Sequence, residues 1–315
     1  MTALVTGAAG FVGSHLCEYL LAEGDEVRGV DSFTEYYPAE RKRRNLDGLR
    51  ASDGFSFTDA DLLDADLEGL LHGVDVVYHL AGQPGVRPSW GSNFETYVKH
   101  NILVTQRLLE AVRDRPIRKL VYASSSSVYG DAETLPTPES VPPRPVSPYG
   151  VTKLAAEHLC ELYRANFGTP TASLRLFTVY GPRQRPDMAF SRLCAAAAQR
   201  THFELYGDGS QTRDFTYVAD VTRAMRDAAL SSWSGVANIG GGTRVSMLEV
   251  IDIVRDLCGP IEIIRMDGQK GDVRHTGADT RVAASAFGYA PRVGIAEGLR
   301  SMVEDTLAPA RSRAS

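Results

Sequence analysis

The sequence predicts a doubly wound parallel α/β sheet with helices on both faces and a smaller α/β lobe. Short apolar runs alternate with helical stretches along much of the chain. A glycine turn, Thr6-Gly7-Ala8-Ala9-Gly10-Phe11-Val12-Gly13, comes directly after the first run. An acid, Asp31, closes the second run. Strand, glycine turn, helix, strand and acid, in that order, describe the start of a dinucleotide-binding sheet.

Ala3-Leu4-Val5 is the first strand, apolar throughout because a parallel strand is covered on both faces. Residues 11–22 have helical periodicity, with Val12, His15, Leu16, Tyr19 and Leu20 on one side, and Gly24-Asp25 ends the helix. Residues 26–31 form the second strand. Further strands are expected at 55–58, 74–79, 119–123, 171–176 and 236–239, with helices at 93–113 and 147–166 among those between them. After Leu176 the alternation loosens into a Pro/Arg-rich loop at 182–186, a turn at 207–210 and a mixed stretch at 260–277. These features predict residues 1–176 plus about 210–240 as the nucleotide-binding domain, and about 177–209 plus 241–315 as the lobe. The tail from 308 to 315 is expected to fray.

A chain of 315 residues buries a large core. A net charge of −5 gives no reason to expect a nucleic-acid partner. The one dense basic run, Arg41-Lys42-Arg43-Arg44, is taken as a solvated helix start. Cys17, Cys160, Cys194 and Cys258 are scattered without metal-ligand spacing, so neither a metal site nor a disulfide is expected. Thr6-Gly7 interrupts the first apolar run too early for a secretory signal, and no run is long enough to span a membrane. A cytoplasmic protein is expected.

The glycine turn has a mechanical reading. Gly7 permits the tight turn and Gly10 lets the backbone approach a pyrophosphate at the N-terminus of the next helix. Gly13 is expected to let that helix pack close to the sheet, with Phe11 and Val12 completing the binding turn. Asp31 can accept from an adenine-ribose 2′-hydroxyl and would repel a 2′-phosphate, which favours NAD over NADP. Asp61-Leu62 and Leu80-Ala81, at the ends of the third and fourth strands, are placed to line the adenine and its ribose.

Tyr149 and Lys153 are one helical turn apart, so they share a face. Ser147-Pro148 is a cap and first-turn pair, which puts Tyr149 in the first turn. The Lys153 charge and the helix N-terminus are expected to lower the phenol pKa, so that Tyr149 acts as a base at neutral pH.

With these residues in view, the chain resembles the extended short-chain dehydrogenase/reductase family, in its nucleotide-sugar epimerase/dehydratase branch on a Rossmann sheet. The resemblance covers nearly the whole chain. It is carried by residues 6–13, His79-Leu80-Ala81-Gly82-Gln83, residues 122–130, Tyr149 and Lys153, residues 213–220, and Gly271-Asp272-Val273. It implies a bound NAD that accepts hydride from a sugar carbon and returns it, with Ser125 helping Tyr149 to hold the reacting hydroxyl. The same helices, 93–113 and 147–166, form a homodimer interface in such relatives.

Members of this branch differ in the chemistry that comes after oxidation of that hydroxyl. Dehydratases of the family carry an Asp-Glu pair where this chain has Ser126-Ser127, and UDP-glucuronate decarboxylases carry Ser-Glu. Serine hydroxyls are too weakly acidic to replace those carboxylates. Residues 31–37, Gly85-Val86-Arg87 and residues 175–188 resemble the UDP-glucuronate 4-epimerases. That resemblance implies C4 epimerisation of UDP-glucuronate to UDP-galacturonate. Ser126, Ser127 and Thr178 would be neutral donors to the substrate carboxylate, with Arg185 or Arg87 supplying charge. Arg213 and Arg274 are candidates for the diphosphate, Arg192 is a third, and Tyr206 is a candidate border of the uracil. UDP-glucose/UDP-galactose 4-epimerisation is the first alternative and UDP-glucuronate decarboxylation the second.

Overall fold

The computed structural model describes residues 1–268 and 273–311. Seven parallel strands form the central sheet: β1 (Thr2–Thr6), β2 (Glu26–Asp31), β3 (Phe55–Asp59), β4 (Val76–His79), β5 (Lys119–Ser125), β6 (Thr171–Leu176) and β7 (Gly235–Ile239). Their spatial order is β7-β6-β5-β4-β1-β2-β3. The order reverses at β1/β4, where a crevice opens beyond the carboxyl ends of the strands.

Side-chain alternation along β1, β2, β4 and β5 feeds two cores. On one face Val5, Tyr78, Val121 and Leu174 pack with Leu16, Cys17 and Leu20 of α1 (Phe11–Ala22), together with residues of a later helix, Val218–Leu230. On the other face Leu4, Val77, Leu120 and Tyr122 pack under α2 (Val104–Val112) and α3 (Pro148–Phe167). The buried face of α1 is Phe11, Gly13, Ser14, Leu16, Cys17 and Leu20. Val12, His15 and Tyr19, expected on the packed side, are only half-buried. Small residues Gly13 and Ser14 take the innermost positions because the helix runs against the turn that precedes it.

The expected helix at 93–113 is composite. A short α-helix, Phe94–Tyr97, passes into a π-helical stretch, Val98–Leu103, before α2 begins. The π turn carries a buried Asn101. Such bulges are frequent at functional sites.

A separate core fills the lobe. Phe190 and Leu193 of α4 (Ala189–Gln199) meet Val250, Ile251 and Val254 of α6 (Met247–Cys258) and Leu299, Met302 and Val303 of α7 (Ile295–Arg311). The helix between them in sequence, α5 (Val218–Leu230), belongs to the large sheet. The strands here are short pairs: Phe203–Tyr206 with Ile263–Met266, and Thr212–Asp214 with Arg244–Ser246. Ala283 and Tyr289 join the core of the large sheet, so the 241–315 segment serves both cores.

The tail expectation is corrected in part, because α7 runs through Arg311. Residues 312–315, and Gly271 and Asp272 of the resemblance motif, lie outside the described residues. No helix among the described residues is long and apolar enough to cross a membrane.

Candidate active site

A cleft of about 410 Å³ lies along the carboxyl ends of the strands. It is lined at one end by Gly7, Gly10, Phe11, Val12, Gly13, Asp31, Asp61, Leu62, Leu80 and Ala81. At the other end are Ser125, Ser126, Ser127, Tyr149, Lys153, Thr178 and Arg185.

The glycine turn is fixed by close approach. Gly7 has φ +72°, and a Cβ there would meet the backbone nitrogen of Ala81 at 2.9 Å. A Cβ on Gly13 would meet the carbonyl oxygen of Gly7 at 2.1 Å. Gly13 therefore brings α1 against its own turn, rather than against the sheet as the sequence suggested. No side chain caps α1 and its first turn holds no acid. Its first N–H groups are left for an anion in the cleft, the arrangement a pyrophosphate needs.

Asp31 accepts from the Ala9 amide at 3.2 Å and the Phe33 amide at 2.9 Å, which ties the β2 loop to the glycine turn. It also pairs with Lys42 at 3.3 Å. Lys42 is buried and lines the cleft, so the basic run is not wholly solvated. A six-residue helix, Ala39–Arg44, turns this one cation inward. No feature of four consecutive bases says which one. Asp61 accepts from the Leu63 amide at 2.9 Å, a turn that holds it at the cleft edge.

The catalytic end is built on α3. Ser147 caps it by accepting from the Gly150 amide at 3.1 Å, and Pro148 occupies the first turn. Tyr149 and Lys153 then face the cleft together. Tyr149 lines the cleft beside Ser125, and its ring lies 6.3 Å from that of Tyr97 in an edge contact.

The expected lowering of the phenol pKa is corrected. Burial desolvates the phenolate and raises the Tyr149 pKa, while the Arg185 charge and the Ser125 hydroxyl work against it. Lys153 is itself stripped of water, which lowers its pKa to about 8, and its ammonium lies 4.5 Å over the Tyr122 ring.

Behind this end runs a polar chain the sequence reading missed. Thr6 Oγ1 accepts from the amides of Leu80 and Ala81 and so donates to His79 Nδ1 at 2.8 Å. His79 Nε2–H then donates to Thr105 Oγ1 at 3.0 Å, and Thr105 donates to the Asn101 carbonyl at 2.7 Å. The Asn101 side chain holds the Gln83 backbone and donates to Thr152, which donates to the Tyr149 carbonyl. The glycine turn and the Tyr149 helix are thereby in one network. Asn101 sits buried within the π turn.

Arg185 and Arg87 part company. Arg185 lines the cleft and is paired with Asp187 by two bonds of 3.0 Å, and Tyr36 donates to the same carboxylate at 3.2 Å. Arg87 lies outside the described cleft lining, 4.6 Å over the Tyr206 ring. Arg192 joins that cluster, 5.6 Å from the same ring and bonded to Glu204 at 2.7 Å. Arg213 donates to the backbone carbonyls of Thr212, Val273 and Arg274, so it stitches the lobe. Arg274 is exposed. Arg192, Tyr206, Arg213 and Arg274 do not line the cleft with Tyr149 among the described residues.

An uncapped helix behind a glycine turn, an acid at the second strand and a tyrosine–lysine helix on one cleft define a dinucleotide-dependent enzyme acting at a hydroxyl-bearing carbon. Residues 3–240 match the NAD dependent epimerase/dehydratase family, and the chain belongs to it. It is 45% identical over 308 residues to a protein of Bacillus subtilis (strain 168) named "Uncharacterized UDP-glucose epimerase YtcB", covering 96% of this chain and 97% of that one. It is 36% identical to a UDP-glucuronate 4-epimerase of Thermodesulfobacterium geofontis (strain OPF15), covering 95% and 94%. The solved UDP-glucuronic acid 4-epimerase of Bacillus cereus, in complex with UDP-glucuronic acid and NAD, superposes with a TM-score of 0.95 at 43% identity. That match covers 98% of this chain and all of the other.

Proposed function

We propose that this chain is an NAD-dependent UDP-glucuronate 4-epimerase. The observation that carries the reading is the company Tyr149 keeps. Ser125, Ser126, Ser127, Thr178 and Arg185 line the same cleft, and Ser126 and Ser127 put neutral hydroxyls where the resemblance places the acids of relatives of other activity. Such a wall receives a carboxylate without like-charge repulsion.

The turn of Gly7, Gly10 and Gly13, with Asp31, would hold NAD, which supplies a reversible hydride acceptor and, when oxidised, a positive ring. Tyr149 takes the proton of the C4 hydroxyl, and Ser125 orients that hydroxyl. Oxidation at C4 makes the sugar a β-keto acid, prone to lose CO2. Ser126, Ser127 and Thr178 hold its carboxylate near the carbonyl plane, the geometry least suited to C–C cleavage. Arg185 supplies the compensating charge. Tyr149 returns the proton to the same oxygen once the sugar has presented its other face.

The lobe takes the nucleotide end in this reading. Arg87 and Arg192 flank the Tyr206 ring in a cation–aromatic cluster of a kind that suits a uridine diphosphate. A division into a cofactor part, 1–176 with Val218–Leu230 and Gly235–Ile239, and a substrate lobe that takes in Thr212–Asp214 and Phe215, is part of the same proposal. So is a homodimer, supported by exposed Leu103, Val151 and Leu162 on the helical segments that would meet. A cytoplasmic setting is proposed from four cysteines that are all unpaired thiols, three of them buried.

The test is a product assay on the purified protein with UDP-glucuronate, UDP-glucose and dTDP-glucose. UDP-galacturonate with little UDP-pentose is expected. Preference for UDP-glucose, or pentose as main product, sinks the carboxylate assignment.

A further inference from the structure

One buried ion pair holds the serine run at both of its ends. Glu157 lies on α3, one turn beyond Lys153, and Arg175 on β6 is the register partner of Ser124 on β5. The two charges are 2% and 5% exposed. Arg175 Nε reaches the Glu157 carboxylate at 3.0 and 3.2 Å, and Nη2 reaches it at 2.5 Å.

Ser124 Oγ donates to Glu157 Oε2 at 2.7 Å, on the near side of the run. Arg175 Nη1 donates to the Tyr129 hydroxyl at 2.7 Å on the far side, where the short helix Ser126–Val128 has ended. Tyr129 donates onward to Asn238 Oδ1 at 2.8 Å, and the Asn238 amide is fixed by the carbonyls of Thr137 and Asp279. Between the two anchors lie Ser125, Ser126 and Ser127, which line the cleft with Tyr149.

Stability alone is a weak reason to bury such a pair. Well-packed apolar residues of similar volume are often as stabilising, because two charges must be taken out of water. A geometric role fits better. Within the run the Ser127 amide donates to Ser125 Oγ at 3.1 Å, and the turn closes with the Tyr129 amide donating to the Ser126 carbonyl at 3.1 Å. A 3-10 turn of three residues has poor hydrogen-bond geometry of its own. Its placement depends on what holds its flanks.

We propose that Glu157 and Arg175 are positioning residues for the reaction: through Ser124 and Tyr129 they set where the hydroxyls of Ser125, Ser126 and Ser127 stand in the cleft. Part of this rests on the UDP-glucuronate reading, because the run is taken to meet the substrate carboxylate. The placement of Ser125 against Tyr149 does not.

Glu157→Gln leaves Arg175 buried without its counter-charge and is expected to fold poorly, so the flanking ties are the better test. Ser124→Ala and Tyr129→Phe each remove one tie and keep the surrounding packing. Each should lower kcat about 10-fold, the worth of one buried hydrogen bond, with KM and co-purified NAD near wild type. With UDP-glucuronate the pentose fraction should rise, because the carboxylate is less well held. Ser124→Thr keeps the hydroxyl and should recover most of kcat. The double variant should lose less than the product of the single losses, because both ties run to one pair. Lower melting temperatures with wild-type kcat and wild-type product ratio would make the pair structural only and overturn the proposal. The assay is run with UDP-glucose as well. If wild type turns over only UDP-glucose, the carboxylate reading fails, and the kcat losses on UDP-glucose still decide the positioning role.

Discussion

The large sheet and the lobe solve the same packing problem by different means. In the sheet, each strand of four to seven residues is parallel to its neighbours, and the inner strands are buried on both faces. The two adjoining cores use alternate residues of β1, β2, β4 and β5. The lobe has strands of two to four residues in isolated pairs, and its core is helix on helix around an aromatic knot. In that knot Phe190 and Phe215 lie 4.4 Å apart, with Tyr180 5.4 Å from Phe190. The contrast teaches where chemistry and tolerance lie. The sheet fixes strand ends in a rigid frame and can aim a phenol and a glycine turn into one cleft. The lobe packs three helices about that knot, so its integrity rests on helix contacts rather than on a shared sheet.

The largest expected effect tests the sheet side. Tyr149→Phe keeps the ring contact with Tyr97 and removes the proton acceptor. Turnover should fall on the order of 10³-fold, the usual worth of a positioned acid–base group. NAD content and melting temperature should hold near wild type. More than a tenth of wild-type turnover would remove the phenol from the chemistry.

The lobe is tested by Phe190→Ala. Truncating a buried aromatic should cost about 3–5 kcal/mol in chemical denaturation. If the two cores are separable, the variant loses substrate binding first and retains NAD. Loss of both together, in one transition, would show that the cores unfold as a unit and break the contrast.

A third measurement concerns the frame beneath the cleft. Burial holds the His79 imidazole neutral, with a pKa lowered from 6.5 to about 3. The unfolded chain therefore binds a proton between those values that the folded chain does not. Its contribution to stability is present above pH 6.5 and is lost as pH falls towards 3. From this group alone, unfolding free energy should drop by about 2 kcal/mol between pH 7 and pH 5. His15, lowered by burial to about 4, adds to the same slope. His79→Gln should flatten the slope, whatever it does to absolute stability. An unchanged slope in the variant would mean that His79 is not the group being charged.

The smallest effect sharpens the cofactor end. Asp31→Asn leaves the buried Lys42 without its counter-charge and removes repulsion of a 2′-phosphate. The preference for NAD over NADP should narrow about 10-fold, equivalent to about 1.4 kcal/mol. Wild-type protein that binds NADP more tightly than NAD would show that Asp31 does not set the choice.

The two regions also differed in how far the sequence exposed them. Most strands of the sheet were legible to within two residues, because a buried parallel strand is a continuous apolar run and its ends carry glycine or acid. Ser147-Pro148 announced the start of α3, and with it the shared face of Tyr149 and Lys153. The lobe gave no comparable signal. The pairing of Phe203–Tyr206 with Ile263–Met266 joins segments far apart in the chain, and neither is long enough for periodicity to speak.

By itself, the sequence determined the order of elements, the glycine turn, the Tyr149–Lys153 helix and the lack of an acid pair at Ser126-Ser127. These are matters of local spacing and residue chemistry. Tertiary structure alone decided which cation of four consecutive bases meets Asp31, that Asn101 turns inward, and that Arg185 rather than Arg87 borders the cleft with Tyr149. It also decided the sign of the Tyr149 pKa shift. Local spacing can bring a charge near a phenol, but desolvation depends on every element packed around it. Only the folded chain supplies that sum.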